Sequence, residues 1–187
     1  MSRLSLSYLE ASHFRPSDPW HNQHMDQDPV DAIIEQWAAV RPDLRTGAMA
    51  VFGRINRIAA GLGRRMDTAY ARHGIGRGEF DVLATLRRAG EPYTLSPREL
   101  TATLMLTTGG MTGRLDKLEK AGLVRRNPDP SDRRGLRVSL TIPGLRLIDE
   151  AVGTGLEVQT AALATLDPAD AAELDRLLRL LLPACED

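Results

Sequence analysis

Residues 95–144 read LSPRELTATLMLTTGGMTGRLDKLEKAGLVRRNPDPSDRRGLRVSLTIPG, and this segment gives the strongest indication of the fold. It opens with SPRE at 96–99, where a serine cap, a proline at the first helical position and a glutamate three residues after the cap predict the start of a helix reaching about Leu106. A second capping pair at 107–108 and the segment GGMTGRLDKLEK predict another helix, which Gly122 ends. Two short helices joined by a tight turn are therefore predicted.

The segment behind these helices predicts a β-hairpin with a basic tip. Leu123–Arg126 and Leu136–Leu140 are short β-prone runs, and the second alternates apolar with polar side chains. They are separated by NPDPSDRRG, residues 127–135. An aspartate beside two arginines on a narrow loop is suited to holding one guanidinium extended into a minor groove. The tip therefore favours contact with DNA.

Helical periodicity continues on both sides of this stretch. Upstream, apolar residues at helical spacing predict helices over 29–40, from about 52 to 73, and over 79–89. Downstream, amphipathic helices are predicted from about 143 to 163 and from 168 to 181, with more leucine than a small monomer needs. Residues 1–28 show no sustained periodicity, so we predict a flexible tail with at most one short helix near 4–10.

Composition and cysteine content narrow the class of protein. The chain has 187 residues, 42% of them hydrophobic and 26% charged, which is typical of one globular domain with helical extensions. Its single cysteine, Cys185, excludes an intrachain disulfide and favours a reducing compartment. No stretch resembles a secretory signal or approaches the length of about 20 apolar residues that a membrane span needs. We therefore expect a cytoplasmic protein with no membrane partner.

Charge is unevenly distributed along the chain. The formal net charge is −1, yet the segment from Met111 to Arg146 contains nine basic and only four acidic residues. The segment after Arg146 contains two arginines and nine acidic residues. A local basic stretch between acidic flanks is expected when a single face meets phosphate.

The second helix of the central pair has one predicted buried edge, formed by Met111, Leu115 and Leu118. The residues expected to face outward are Gly109, Thr112, Gly113, Lys117 and Lys120. The hydroxyls of Thr108 and Thr112 can serve base edges or phosphates, and the two lysines suit phosphate. Taken alone, this face could equally be a solvated polar surface, and the basic hairpin tip favours the DNA-binding interpretation.

The stretch from Leu95 to Gly144 resembles the MarR family of winged-helix regulators. Asp132-x-Arg134-x5-Leu140-Thr141 matches that family's wing signature, and GGMT at 109–112 with residues 115–123 resembles its recognition helix. The resemblance implies that Arg134 enters the minor groove, that Asp132 orients it, and that terminal helices of two chains form a homodimer. The resulting DNA-binding residues are Thr107, Thr108, Gly109, Thr112, Lys117, Lys120, Arg133 and Arg134, with Asp132 as the orienting residue.

The predicted fold class is mainly α (α+β), a winged helix-turn-helix with a two-stranded β wing and dimerisation helices at both ends. The corresponding division is a tail at 1–28, N-terminal helices at 29–74, the DNA-binding domain at 75–142 and C-terminal helices at 143–187. The predicted partners are double-stranded DNA, a second copy of the chain and a small-molecule effector.

Three further segments resemble the urate-responsive, PecS-type subgroup of this family: WAAVRPDL at 37–44, GEFDVLATLRRA at 78–89, and residues 107–119. In that subgroup a tryptophan, an aspartate and an arginine line the ligand pocket, and they match Trp37, Asp81 and Arg114. A fourth pocket position, polar in some members, is Ala89 here. The resemblance implies a repressor released from a pseudo-palindromic operator by urate or a related purine. Related regulators respond instead to a small polycarboxylate or a phenolic acid.

Each of these three residues also has a simpler interpretation. Trp37 can pack in a dimer interface, and Asp81 can complement the dipole at the start of its helix. Arg114 lies roughly 60° from the middle of the buried stripe of its helix, where it needs an acidic partner or an anion. Asp81 and an anionic purine are the two candidates.

Other classes of function find less support. A winged helix used only for protein contacts is one alternative, and a thiol redox sensor is another, although Cys185 lies in an acidic tail that does not activate a thiol. We find no nucleotide-binding loop and no catalytic triad pattern, so we predict no catalytic residues and no enzyme. His13, His21 and His24 lack acidic or cysteine partners, so we predict no metal site and no cofactor.

Overall fold

The computed structural model describes residues 27–104, 108–130, 132 and 135–185, with Thr108 described for its backbone only. The predicted tail with its three histidines, together with Thr107, Arg133 and Arg134, therefore lies outside the described residues, apart from residues 27 and 28. The helices are α1 Pro29–Val40, α2 Gly47–Ala71, α3 Arg77–Arg88, α4 Pro97–Thr103, α5 Thr108–Lys120, α6 Ile142–Leu163 and α7 Pro168–Leu181. The strands are β1 Thr94–Leu95, β2 Val124–Pro128 and β3 Leu136–Leu140, and a short 3-10 helix, Leu182–Ala184, follows α7.

The chain divides into two compact units, Met1–Ala60 and Gly61–Asp187, and the boundary falls within α2. In the first unit, α1 begins at a capping box formed by Asp28 and Asp31. The Arg54 guanidinium of α2 donates to both carboxylates, with an Nε to Oδ2 distance of 2.7 Å at Asp28. That hydrogen bond is the largest influence holding the pKa of Asp28 below its usual value. The pairing fixes the start of α1 against α2.

The core of the second unit is built around α3, because α3 contributes three fully buried apolar side chains in one turn, Val82, Leu83 and Leu86. The other large side chains that are fully buried come from α4, α5, β3 and α6: Leu100, Met111, Leu115, Leu118, Val138 and Ile148. The helical spacing of these residues within each element explains why each helix has one apolar face. The positions of α4 and α5 follow from this shared core.

The sheet is antiparallel and has the order β1-β3-β2 in the described residues. The predicted two-stranded wing is confirmed as β2 and β3, with Val124 opposite Leu140 and Pro128 opposite Leu136. The short strand β1 was not predicted. It pairs with β3 through Thr94 opposite Ser139, whose hydroxyl oxygens are 2.7 Å apart. Two residues are too few to show alternation, so only the tertiary contact reveals this strand.

Most helix boundaries agree with the sequence predictions, and two differ. Helix α4 ends at Thr103, with Leu104 as its C-cap, rather than near Leu106. Helix α2 begins at Gly47, ahead of the apolar stripe that predicted it from Phe52. No helix of the described ranges is both long enough and apolar enough to cross a bilayer.

Candidate nucleic-acid interface

Helix α5 has the orientation that its sequence predicts. Met111, Leu115 and Leu118 are buried in the core of the second unit. The opposite face consists of exposed residues, namely Gly109, Thr112, Gly113, Lys117 and Lys120. A helix with an exposed face of glycine, hydroxyl and ammonium groups can approach a duplex closely and contact phosphates. The contact of these residues with DNA stays a prediction.

Lys117 has a protein partner that the sequence analysis did not identify. Its Nζ atom lies 3.5 Å from Oε1 of Glu79, which is the third residue of α3. The Glu79 side chain is only 17% exposed, whereas that of Lys117 is 76% exposed. The backbone N–H of Gly76 also donates to Glu79, so the carboxylate is fixed and the lysine is the mobile member of the pair. An exposed pair of this length is weak, and a phosphate can replace it.

Two arginines counted in the basic stretch are paired with acidic groups, which reduces the charge available to DNA. Arg126 on β2 donates to Asp116 at 2.7 Å and to Glu119 at 2.8 Å, both on α5. Arg137 on β3 donates to Asp129 at 2.7 Å. The excess of basic residues in the sequence therefore overstates the local positive field, because the fold brings these arginines against carboxylates.

The base of the wing is closed by backbone hydrogen bonds. The N–H of Asp129 donates to the carbonyl oxygen of Gly135, and the N–H of Gly135 donates to that of Asp132, both at 2.9 Å. A Cβ atom at position 135 would lie 3.0 Å from Cβ of Asp129 and 3.1 Å from Cβ of Asp132, so a glycine suits this close approach. Asp132 is exposed. Its role in orienting Arg134 stays a prediction, since Arg134 lies outside the described residues.

One exposed basic residue near this face was missed. Arg98 lies in the first turn of α4 and, with Thr101 and Thr112, lines an open cleft of about 350 Å³ between α4 and α5. Its position next to the serine cap could have been noted in the sequence, because donors of a first helical turn are suited to phosphate. Arg98 is therefore a further candidate contact.

Arg114 of α5 lies on the backbone of Gly78, in the first turn of α3. Its NH1 group donates to the carbonyl oxygen of Gly78 at 3.4 Å. A Cβ atom at position 78 would lie 2.6 Å from Cζ of Arg114 and 2.7 Å from its Nε, so any larger residue there would displace the guanidinium. Glycine at this position therefore allows a cation of α5 to lie against the start of α3.

Asp81 lies one turn further along α3, close enough to Arg114 for the charge of the guanidinium to influence its carboxyl group. Although much of its surface is exposed, the surrounding protein removes enough water from the carboxyl group to raise its pKa. The nearby charge of Arg114 acts in the opposite direction, followed by those of Arg77 and Arg88. The described residues include no direct ion pair between Asp81 and Arg114. The two predicted ligand residues of this unit are thus neighbours without being paired.

Two aromatic residues next to Asp81 were not predicted as part of a site. The rings of Tyr70 and Phe80 are stacked, with centroids 4.1 Å apart and planes inclined by 12°. Burial, and then the charge of Asp81, raises the pKa of the Tyr70 phenol. Tyr70 belongs to the apolar stripe of α2, so its sequence pattern indicated only a core residue.

The third predicted ligand residue, Trp37, belongs to the other unit. It lies near the end of α1 and is 39% exposed. Ala89, at the fourth pocket position, is the C-cap of α3 and is exposed. The role of Trp37 in a ligand site stays a prediction from the resemblance.

Comparison with known proteins agrees with this architecture. A model of the MarR family matches residues 73–135. The chain is 37% identical over 149 residues to the transcriptional regulator PecS of Dickeya dadantii, covering 80% of this chain and 90% of PecS. It is 34% identical over 108 residues to the multiple antibiotic resistance protein MarR of Escherichia coli, covering 56% of this chain and 72% of that protein.

A solved structure shows the same fold on DNA. The complex of a mutant Escherichia coli MarR with operator DNA superposes with a TM-score of 0.62 at 26% identity, covering 79% of this chain and 98% of that one. These relatives are transcriptional regulators and not enzymes. Since the likeness to PecS spans most of both chains and the described residues form the winged helix-turn-helix, this chain belongs to the MarR family of DNA-binding transcriptional regulators.

Proposed function

We propose that this regulator represses transcription as a homodimer on a pseudo-palindromic operator, and that urate or a related anionic purine releases it. The observation that carries the proposal is the place of Arg114. Its guanidinium extends from α5, the proposed recognition helix, to Gly78 and toward Asp81 on α3. An anion that binds this guanidinium acts directly on the helix that meets DNA, so ligand affinity and DNA affinity become coupled.

The proposed DNA contacts follow from the exposed face of α5 and from the wing. Glycine and threonine residues of α5 face the major groove, while Lys117 and Lys120 contact phosphate. We propose that Arg133 and Arg134 contact the minor groove and that Asp132 orients Arg134. The solved complex of the Escherichia coli relative with operator DNA supports DNA binding by this fold.

The exposed leucines of the C-terminal helix support a homodimer. No residue of α7 is buried against the described part of the chain. Its apolar side chains at helical spacing, Leu174, Leu177 and Leu178, are each at least 40% exposed. A stripe of this kind is stabilised when a second copy covers it. We propose that the terminal helices of two chains form this interface.

A homodimer predicts an operator with two equivalent half-sites. We expect a footprint with half-sites about 10 bp apart from centre to centre, because a two-fold axis presents both recognition helices to one face of the duplex. The measurement is a nuclease footprint combined with the mass of the free protein in solution. A monomer that protects one half-site contradicts the dimer. If the affinity for DNA does not fall when salt is added, the winged helix serves protein contacts instead.

The ligand is tested by operator release. We expect urate to release the operator from the wild-type protein, and we expect Trp37→Phe to weaken this response with little loss of DNA affinity, since the larger indole supplies more flat surface for a heterocycle. Gly78→Ala should also weaken the response to urate, because the added Cβ displaces the Arg114 guanidinium without removing its charge. Gly153→Ala is the matched control, since nothing lies within 4 Å of its added Cβ.

Citrate and salicylate are run in parallel, as the polycarboxylate and phenolic alternatives. Tryptophan emission is recorded in a Trp20→Phe background, so that Trp37 is the only reporter. Release by citrate or salicylate and not by millimolar urate shows that the purine assignment is wrong. If none of the three ligands alters emission or operator binding, the effector proposal itself fails.

A further inference from the structure

Arg137 connects the base of the wing to the helix-turn-helix. It lies on β3, and its Nε donates to Oδ2 of Asp129 at 2.7 Å. Its NH1 donates to Oε2 of Glu99, on α4, at 3.3 Å. The Asp129 side chain is only 10% exposed. One guanidinium therefore bridges a carboxylate of the wing loop and a carboxylate of α4.

Both carboxylates are held by other hydrogen bonds. Glu99 belongs to the capping box of α4, where its Oε2 accepts the N–H of Ser96 at 2.7 Å. The N–H of Glu99 in turn donates to Oγ of Ser96 at 3.2 Å. Asp129 is fixed by its own N–H, which donates to Gly135 across the loop. Arg137 therefore joins two anchored groups, and the bridge restricts the wing relative to α4.

The bridge lies just beyond the end of β1. Strand β1 pairs with Ser139 and Val138 of β3, and Arg137 is the next residue toward the tip. Beyond Val138 the wing consists of two strands, paired as far as Leu136 opposite Pro128. An isolated two-stranded ribbon is free to twist and bend. Arg137 supplies the lateral support that β1 no longer gives.

We propose that Arg137 is a positioning residue for DNA binding, which sets the direction of the wing by bridging Asp129 and Glu99. This inference rests on the wing's part in the DNA contact proposed above. It differs from the simpler possibility that Arg137 binds a phosphate directly. In that case Glu99 and Asp129 would compete with the DNA, and removing one of them would strengthen binding. The two mechanisms thus predict effects of opposite sign for the same substitution.

Glu99→Gln separates them. Glutamine keeps an oxygen that accepts the Ser96 N–H, so the capping box is retained while the charge that faces Arg137 is lost. We expect operator affinity to fall by about threefold to fivefold, the upper range for one exposed ion pair. Glu173→Gln is the matched control, because it removes the same charge from an exposed pair with Arg176 on α7. Glu173 is not part of the exposed leucine stripe of α7, so this variant should remain a dimer, and its affinity should equal or slightly exceed that of the wild type.

Arg137→Lys provides a second comparison. Lysine retains the charge, but its N–H groups share one nitrogen, so it cannot occupy both the Nε and the NH1 positions from which arginine reaches the two carboxylates. We expect it to bind the operator about threefold to fivefold more weakly, as Glu99→Gln does, since a single exposed ion pair sets the scale of the loss. A direct phosphate contact would largely survive this change.

Hydroxyl-radical footprints of both variants show which part of the interface is lost. In both variants, we expect the minor-groove protection at the outer edges of the operator to weaken more than the protection at the major-groove half-sites. Tighter binding by Glu99→Gln than by Glu173→Gln overturns the proposal, as does wild-type affinity in Arg137→Lys. Uniform loss of all protections together with a lower Tm also overturns it, because that result indicates a structural role only. If Arg134→Ala has no effect on operator affinity, the proposed contact of the wing with DNA is wrong, and not only the proposed role of Arg137.

Discussion

Arg134→Ala is expected to lower affinity for the specific operator by about a hundredfold and to leave the protein a folded dimer. One guanidinium contact to DNA contributes about 1–3 kcal/mol, and a dimer has two wings. The electrostatic potential of a narrow minor groove attracts arginine in particular, so the loss should be largest for operators with A·T-rich flanks. In the sequence, Arg134 falls between β2 and β3, a segment that contributes no residue to the described core, so folding should not depend on it.

The measurement is a gel-shift or anisotropy titration at a salt concentration of about 0.15 M, since affinities for DNA have meaning only at a stated salt concentration. Arg176→Ala is the matched control, because Arg176 is an exposed arginine on α7 that pairs only with Glu173 among the described residues. It removes the same charge at a distance from the wing in sequence. Equal affinity of the two variants would exclude the wing from the DNA contact.

Gly144→Ala is expected to destabilise the protein by about 3 kcal/mol, the upper range for overpacking a well-packed site. A Cβ atom at position 144 would overlap the carbonyl oxygen of Leu123. That oxygen cannot move aside freely, because it accepts the backbone N–H of Thr141 at 3.1 Å. Thr141 is in turn the N-cap of α6, and its hydroxyl oxygen accepts the N–H of Gly144. The added methyl group therefore forces apart the start of α6 and the segment that leads into β2.

Thermal unfolding followed by circular dichroism measures this effect. A loss of about 3 kcal/mol corresponds to a fall in Tm of roughly 6–12 °C for a chain of this size. Gly153→Ala is the control within the same helix, since nothing lies within 4 Å of its added Cβ. Replacing glycine by alanine inside a helix stabilises by about 0.5–1 kcal/mol, so the two substitutions should change Tm in opposite directions. An unchanged Tm for Gly144→Ala would show that α6 does not pack closely on Leu123.

Features that depend on local chemistry or on periodicity could be predicted from the sequence. The capping box of Ser96 and Glu99 predicts the start of α4, because both hydrogen bonds lie within four residues. Gly122 follows the end of α5 with a positive φ angle of 71°, in agreement with the prediction that it ends this helix. The buried edge of α5 follows from the spacing of its apolar residues. Together with the wing signature, these patterns were sufficient for the fold class and for the family.

Contacts between residues that are distant in the sequence could be seen only in the folded chain. The two residues of β1 form a strand because Ser139 and Val138 lie beside them. Whether Arg126 and Arg137 are available to DNA depends on the carboxylates that packing brings to them. Local sequence does not specify such pairs, because each depends on two segments joined through the shared core. The contact of Arg114 with Gly78 spans 36 positions, and it is the fold, by placing α5 against the start of α3, that makes glycine necessary there.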